Sequence, residues 1–378
     1  MSRFAAWMTC VLLLVVAGCT DRVADAAGQV RQCPAKLALF GPFSGASADL
    51  GQYIHDGVQL AVEQYDAARP ACPVSVVDMD SQGDPKQAPA FAQQVVADPR
   101  ILGVVGPAFS GESEAADPLL NQGGVATITA SATETALSNR GWSTFHRIIG
   151  NDAKQGPAAG RYIAAVMHAR KVFVIDDTEA YGRGLAAEVT EVLGDRVVQS
   201  ASIPPQQRAF VDVVSQIRAA RPDVVFFGGY YEEAGDLLSQ MHKAGVTATL
   251  VSGDAVKDEG FLRRAGAAAE GTVITCPCRP PQSAGDGFAA RYRARFGVEP
   301  GTYSAEAYDA ATVFLRGIQA GKLTRPAMAS FVSGYAGTGV TGPIRFTPTG
   351  ELVDSSVTVW AYRVAGGVIV PDRPIPSS

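Results

Sequence analysis

One stretch of the chain constrains its fold more than any other. An apolar run, Ile101–Val105, ends at Gly106-Pro107, and a helix-like stretch, Glu112–Leu120, follows it and ends at Gly123-Gly124. A second apolar run, Val125–Thr129, comes directly after. Short apolar runs bounded by glycine and proline and separated by a helix are typical of neighbouring buried strands in a parallel sheet. The stretch therefore predicts a strand, a helix and a strand of an α/β fold.

Each of these two strands is followed by small hydroxyl residues. Ser110 comes after the first strand, and Ser131 and Thr133 come after the second. The carboxyl ends of parallel neighbours share one edge of the sheet, which is where open α/β sheets bind ligands. Ser110 also begins a helix, whose free N–H groups and positive dipole end suit a carboxylate. The alternative interpretation is that Ser110 only caps the helix and Thr133 only forms a turn.

The alternation of strands and helices occurs twice along the chain. Five strands with intervening helices precede Asn151, and a second series of similar size follows it. The sequence therefore predicts an α/β protein of two doubly wound parallel-sheet lobes joined by a hinge. The C-terminal segment has too few strands for a core of its own and is expected to be shared between the lobes. The expected division is 35–151 with 276–345 for the first lobe, and 152–275 with 346–371 for the second.

The N-terminus has the features of an export signal. Arg3 precedes the apolar run Val11–Val16, and two small residues stand directly before Cys19. This ending resembles the lipobox of bacterial lipoproteins, which implies that Cys19 becomes the lipidated first residue of the mature chain. Residues 1–19 are then a lipoprotein signal peptide and residues 20–34 a tether. The alternative is an ordinary secretory signal with an accidental cysteine.

Composition and cysteine placement limit the function classes. The chain is 47% hydrophobic and 18% charged with a net charge of −5, and no basic tract favours nucleic acid. Cys33 and Cys72 precede the first two strands, so a disulfide between them is plausible in an oxidising compartment. Cys276 and Cys278 are a poor zinc site without a histidine, and a local disulfide or two free thiols are the alternatives. No metal is expected.

Motifs of catalysis and of cofactor binding are weak or missing. Gly182-x-Gly184 follows a strand, but Ala187 stands where the dinucleotide fingerprint needs a third glycine. The sequence contains no nucleophile elbow, P-loop or HExxH motif, and its four histidines form no triad pattern. We therefore expect a protein that is not an enzyme and that carries no cofactor.

The second lobe contributes residues to the opposite side of the expected cleft. Tyr181 and Tyr230 each follow a strand, and Asp254 follows the next one. A carboxylate that faces Ser110 and Thr133 across a cleft would suit a zwitterion, with the ammonium group on the aspartate. The alternative is that Asp254 merely caps the helix that starts after it.

Several stretches carry a resemblance over nearly everything after Lys36. They are Asp84–Ala88, Ile128–Thr133, Gln155–Pro157, Tyr181–Leu185, Gly228–Tyr230 and Gly342-Pro343. The chain resembles the leucine/isoleucine/valine-type periplasmic solute-binding proteins, which have the type I periplasmic binding fold and serve ABC importers. The resemblance implies a two-lobed receptor in which ligand binding closes the hinge.

The resemblance also implies roles for individual residues. Ser110 would hold the ligand carboxylate, and Thr133 would contact both polar groups. The backbone carbonyl of Ser131 and the side chain of Asp254 would accept from the ammonium group. Tyr181 and Tyr230 would close over the ligand from the second lobe.

This chain departs from the family pattern at three points. Leu50 stands where the leucine-binding members have an aromatic ring against the ligand side chain. Asp254 is one methylene shorter than the usual glutamate. Gly83 and Phe109 stand at the positions of the family's first-lobe disulfide, which is therefore absent.

The sequence therefore predicts an extracytoplasmic receptor that is lipid-anchored to the bacterial membrane. It would bind a small aliphatic amino acid and deliver it to the permease subunits of an ABC importer. The alternative is a sensor of amides or other small solutes that signals to a partner protein.

Overall fold

A computed structural model describes residues 33, 35–68 and 70–376, which form two lobes, each built on its own sheet. The predicted α/β class with two parallel-sheet lobes is confirmed. The signal peptide and Cys19 lie outside the described residues. Among the described residues, the helices are all too short or too polar to cross a membrane.

The first lobe contains a sheet of five parallel strands flanked by helices. The strands are β1 (Ala35–Gly41), β2 (Val74–Asp80), β3 (Ile101–Val105), β4 (Ala126–Thr129) and β5 (Phe145–Arg147). The helices are α1 (Ala48–Ala67), α2 (Ala88–Ala97) and α3 (Ser110–Gln122). The strand order is β2-β1-β3-β4-β5, and every pairing is parallel. Every residue of β3 and β4 is buried, as expected for strands covered on both faces.

The second lobe repeats this architecture on a larger sheet. Its parallel strands are β6 (Val172–Asp176), β7 (Val197–Ser202), β8 (Val224–Gly228), β9 (Thr249–Ser252) and β10 (Val273–Cys276). Its helices are α4 (Asp152–Arg161, continued by a π-helical turn), α5 (Ala180–Leu193), α6 (Val211–Ala220), α7 (Tyr231–Lys243) and α8 (Glu259–Ala265). The chain passes from the first sheet to the second between β5 and α4.

The C-terminal segment contributes elements that pack on both lobes. Its elements are α9 (Phe288–Phe296), α10 (Ser304–Gln319), α11 (Arg325–Ser333), β11 (Ala336–Thr338), β12 (Pro343–Arg345), β13 (Val359–Ala365) and β14 (Val368–Ile375). Helix α10 packs on α1, and α11 packs on β3. Gly57 allows the close approach of α1 and α10, because a side chain at this position would collide with the Ser304 carbonyl.

Two antiparallel strands extend the second sheet. The sequence pattern did not predict their antiparallel pairing. The strand order is β14-β13-β10-β9-β8-β6-β7, with β13 antiparallel to β10 and β14 antiparallel to β13. Strand β14 was not predicted, because Pro371 and Pro374 disfavour an interior strand. It lies at the edge of the sheet, where proline is tolerated.

Two observations bear on the expected boundaries of the second lobe in this C-terminal part. The Arg147 N–H donates to the Gly350 carbonyl at 2.8 Å, so the segment after β12 still contacts the first lobe beyond residue 346. Strand β14 continues to Ile375, four residues past the expected limit of 371.

Two disulfides lie among the described residues. Cys33 and Cys72 are bridged with a Cα–Cα distance of 4.9 Å, beside the starts of β1 and β2. Cys276 and Cys278 are also bridged, with a Cα–Cα distance of 5.0 Å, and both are buried. Of the two alternatives for this second pair, the structure has the local disulfide. It lies where the chain leaves β10 and returns to the first lobe.

Candidate functional site

A small cavity lies at the carboxyl ends of the strands, between the two lobes. Its first-lobe wall is formed by Leu50, Ala108, Phe109, Ser110, Ser131 and Tyr303, and its second-lobe wall by Tyr181, Tyr230, Asp254 and Ala255. The cavity has a volume of about 10 Å³. This is close to the space that one water molecule needs.

Ser110 forms the polar corner of the first-lobe wall. It is the first residue of α3, and its hydroxyl accepts a hydrogen bond from the Glu134 N–H at 3.2 Å. The parallel register of β3 and β4 brings these two turns together, because Val105 lies opposite Ile128. The first N–H groups of a helix have no partner within it. Ser110 and the start of α3 therefore offer donors for a carboxylate.

Ser131 lies beside this corner, and Thr133 lies behind it. The Ser131 hydroxyl donates to the Ala108 carbonyl at 2.7 Å, which ties the turn after β4 to the turn after β3. Thr133 is fully buried and does not line the cavity. Its carbonyl accepts from the Asp152 N–H at 2.8 Å, where the chain passes into the second lobe. Thr133 is thus within the site but one layer deeper than Ser110.

Asp254 is the acidic group of the second-lobe wall and is almost fully buried. The Tyr181 hydroxyl donates to its Oδ1 at 2.9 Å, and the Tyr303 hydroxyl donates to its Oδ2. Burial raises the pKa of the Asp254 carboxyl, and the two tyrosine hydrogen bonds oppose this rise. The carboxylate is therefore held in position by one donor from each lobe.

A second buried carboxylate lies close to Asp254. Asp152 is fully buried, and within the described part of the chain neither of its oxygens has a hydrogen-bond partner. The Thr133 hydroxyl has no well-aligned partner there either, but it lies close enough to Asp152 to favour the charged form of that carboxyl. Burial raises the pKa of Asp152 well above its usual value, and the charge of Asp254 adds to this rise. Two neighbouring buried carboxylates are an arrangement that a cationic group would stabilise.

The rest of the cavity wall is apolar or aromatic. The Phe109 and Tyr230 rings lie 4.8 Å apart, and the Tyr230 and Tyr181 rings lie 5.5 Å apart. Leu50, from the first turn of α1, is almost fully buried and completes this wall. An apolar wall opposite two sets of polar groups is typical of a small-molecule site.

Contacts around the cavity hold the two lobes together. The Tyr231 hydroxyl donates to the Ala46 carbonyl. On another side, the Thr302 hydroxyl donates to the Lys257 carbonyl at 2.6 Å, and the Lys257 ammonium lies 3.1 Å from the same hydroxyl oxygen. Burial lowers the pKa of Lys257 to about 8. Closure therefore brings polar groups of both lobes into direct contact.

The structure brings together all but one of the predicted ligand residues at the cavity wall. Thr133 is the exception, since it lies behind Ser110. Sequence reasoning missed Asp152 and Tyr303 as site residues, and it noted Phe109 only as a missing cysteine. Tyr303 has a φ of 67°, a conformation that is rare outside glycine and recurs at functional sites. Within the described residues, no cluster of histidine, cysteine and acidic side chains could hold a metal ion.

Comparisons with known proteins agree with this architecture. A model of the family described as periplasmic binding protein matches residues 34–367. The leucine-, isoleucine-, valine-, threonine- and alanine-binding protein of Pseudomonas aeruginosa is 31% identical over 335 residues, which cover 87% of this chain and 90% of that protein.

Solved structures show the same fold with different ligands. The branched-chain amino acid transporter substrate binding protein LivJ of Streptococcus pneumoniae, in complex with isoleucine, has a TM-score of 0.82 and 25% identity. The match covers 89% of this chain and 99% of that one. A solute binding protein of R. palustris in complex with benzoate has a TM-score of 0.78 and 19% identity, over 90% of this chain and 96% of that one. This second likeness shows the fold alone.

Proposed function

The chain belongs to the periplasmic binding protein family, and we propose that it is the extracytoplasmic receptor of an ABC importer for a small aliphatic amino acid. The family consists of solute-binding proteins rather than enzymes. Cys19 would carry the lipid anchor, and the permease subunits of the importer would receive the ligand. The fold hosts more than one kind of ligand, so the proposal depends on the chemistry of the cavity.

The observation that carries the proposal is the arrangement of donors and acceptors on opposite walls. Ser110 and the start of α3 offer donors on the first lobe, and Asp254 offers a carboxylate on the second. A zwitterion would have its carboxylate at the helix N-terminus and its ammonium group at Asp254. Both charges would then be paired in a site with almost no water.

Asp152 would be the second acceptor for the ammonium group. It is fully buried, and the nearby charge of Asp254 adds to the rise of its pKa, while the Thr133 hydroxyl opposes that rise. An ammonium group carries three donors, which the two carboxylates and the Ser131 carbonyl would satisfy. A ligand with a carboxylate alone, such as benzoate, would instead bury these acidic groups next to another negative charge.

Hinge closure follows from the same arrangement. Tyr181, Tyr230 and Asp254 belong to the second lobe, so they contact a ligand on Ser110 only when the lobes are together. Binding energy from these residues is available only in the closed form, and ligand therefore shifts the population toward it.

A thermal-shift screen against the twenty amino acids, benzoate and simple sugars tests the proposal. We expect a small aliphatic amino acid to raise the melting temperature, because a ligand that binds only the native state stabilises it. The matching deaminated acid and benzoate should have no effect. Stabilisation by benzoate and by no amino acid would refute the proposal.

A further inference from the structure

The ring of Phe109 packs between the two lobes at the cavity wall. It directly precedes Ser110, and its ring lines the cavity wall between the two lobes. On one side the ring packs against Tyr230, with a centroid distance of 4.8 Å. On the other side lies Gly83, where an added methyl carbon would be 3.0 Å from the ring. The ring therefore fills the full width between the first-lobe backbone and a second-lobe tyrosine.

The Phe109 backbone is held by a set of buried hydrogen bonds. Its N–H donates to Glu112 Oε2 at 2.9 Å, and Glu112 Oε1 accepts from the Ser81 hydroxyl. The Gly83 N–H donates to the same hydroxyl at 3.2 Å. Gly83 has a φ of 77°, so a residue with a side chain would be strained there. The ring and the glycine it covers are thus fixed relative to each other.

The position of the ring decides where a ligand side chain would lie. With the carboxylate of an amino acid at Ser110 and its ammonium group at Asp254, the third substituent faces the remaining wall of the cavity. That wall includes the side chains of Leu50, Phe109 and Tyr230. A longer side chain would have to displace the Phe109 and Tyr230 rings further than a short one would. Rings packed at the density of a protein interior resist such movement.

We propose that Phe109 sets the size limit of the ligand side chain, so that glycine, alanine and serine are bound and leucine is rejected. The proposal rests on the amino-acid function proposed above and narrows it. Phe109 acts on specificity through its volume, and Gly83 makes room for that volume.

Isothermal titration calorimetry of the wild-type protein and Phe109→Ala with glycine, alanine, valine and leucine tests the proposal. The wild type should bind alanine at least about tenfold more tightly than leucine, the range for extra methylenes in an apolar pocket. Phe109→Ala should raise the leucine-to-alanine affinity ratio by at least about tenfold. Phe109→Leu retains part of the volume, should give an intermediate ratio, and serves if the alanine variant does not fold.

The control is Phe91→Ala, the same change in the same lobe. Phe91 lies on α2, where its ring packs edge-on against Phe40 at 5.8 Å, and it does not line the cavity. This variant should have the same leucine-to-alanine affinity ratio as the wild type. Equal binding of alanine and leucine by the wild type, or an unchanged ratio in both Phe109 variants, would overturn the proposal. If neither the wild type nor any variant binds an amino acid, the proposed amino-acid function is wrong. That result differs from binding without size selectivity, which would refute only the role of Phe109.

Discussion

Replacing Asp254 by asparagine tests how the site recognises charge. The change keeps the shape of the side chain and removes its negative charge. The asparagine Oδ1 can still accept from the Tyr181 hydroxyl, and its amide group can donate to Tyr303. The fold around the cavity should therefore persist, and the measured effect should come from the lost charge.

The expected loss of binding free energy depends on which charged groups remain near the ligand. A buried charge without its partner costs several kcal/mol. In the proposed arrangement Asp152 would remain as an acceptor for the ammonium group, so the loss should be moderate, about 2–4 kcal/mol. This corresponds to a rise in Kd of roughly 30-fold to roughly 1,000-fold. Ser110→Ala should cost less, about 1–2 kcal/mol, because the N–H groups of α3 remain.

Calorimetric titration with the amino acid found in the screen measures these losses. Asp258→Asn is the matched control, since Asp258 is a buried carboxylate four residues further along. It does not line the cavity, and its Oδ1 accepts from the Gly260 N–H in the first turn of α8, a role that asparagine can keep. If Asp254→Asn binds the amino acid as tightly as the wild type, the ammonium site is elsewhere or the ligand has no ammonium group. The reasoning about the zwitterion would then be wrong.

Three further predictions concern the anchor, the disulfide and the pH dependence of stability. Cys19→Ala should release the protein from the membrane fraction, as followed by blotting of separated fractions, and equal retention would count against a lipid anchor. Mass spectrometry of a non-reduced digest should detect a peptide in which Cys33 and Cys72 are linked, and two free thiols would contradict this. The two cysteines are 39 residues apart, so removal of the disulfide should lower the free energy of unfolding by up to about 4 kcal/mol. Burial raises the pKa of Asp177 to about 8 from 3.8, so the stability linked to its proton is complete at low pH and is lost as the pH rises through about 8. Asp177→Asn should therefore raise the melting temperature by calorimetry near pH 8 but hardly change it near pH 4, and an equal shift at both values would disprove this linkage.

Residues directly after strands were the predictable part of the site. Ser110, Tyr230 and Asp254 each follow a short apolar run, and parallel strands bring such positions to one edge of a sheet. Local pattern was sufficient for this, because the direction of a strand and the place where it ends are both visible in a few neighbouring residues. The resemblance added the role of each residue.

Other site residues carry no comparable local signal. Tyr303 directly precedes α10, which belongs to the first lobe, yet its hydroxyl donates to Asp254 of the second. Asp152 reads as an ordinary acidic residue in the first turn of a helix, where it would suit the dipole. Its burial beside another carboxylate depends on how the chain crosses between the lobes.

The sequence by itself determined the α/β class, the two sheets and the edge at which the site forms. These follow from the spacing of apolar residues, glycines and prolines, which act over a few positions. Only the tertiary structure decided that Phe109 lies on Gly83 and against Tyr230, and that β13 and β14 extend the second sheet. Such contacts join residues that are far apart in the chain, and the packing that selects them depends on the shape of both lobes together.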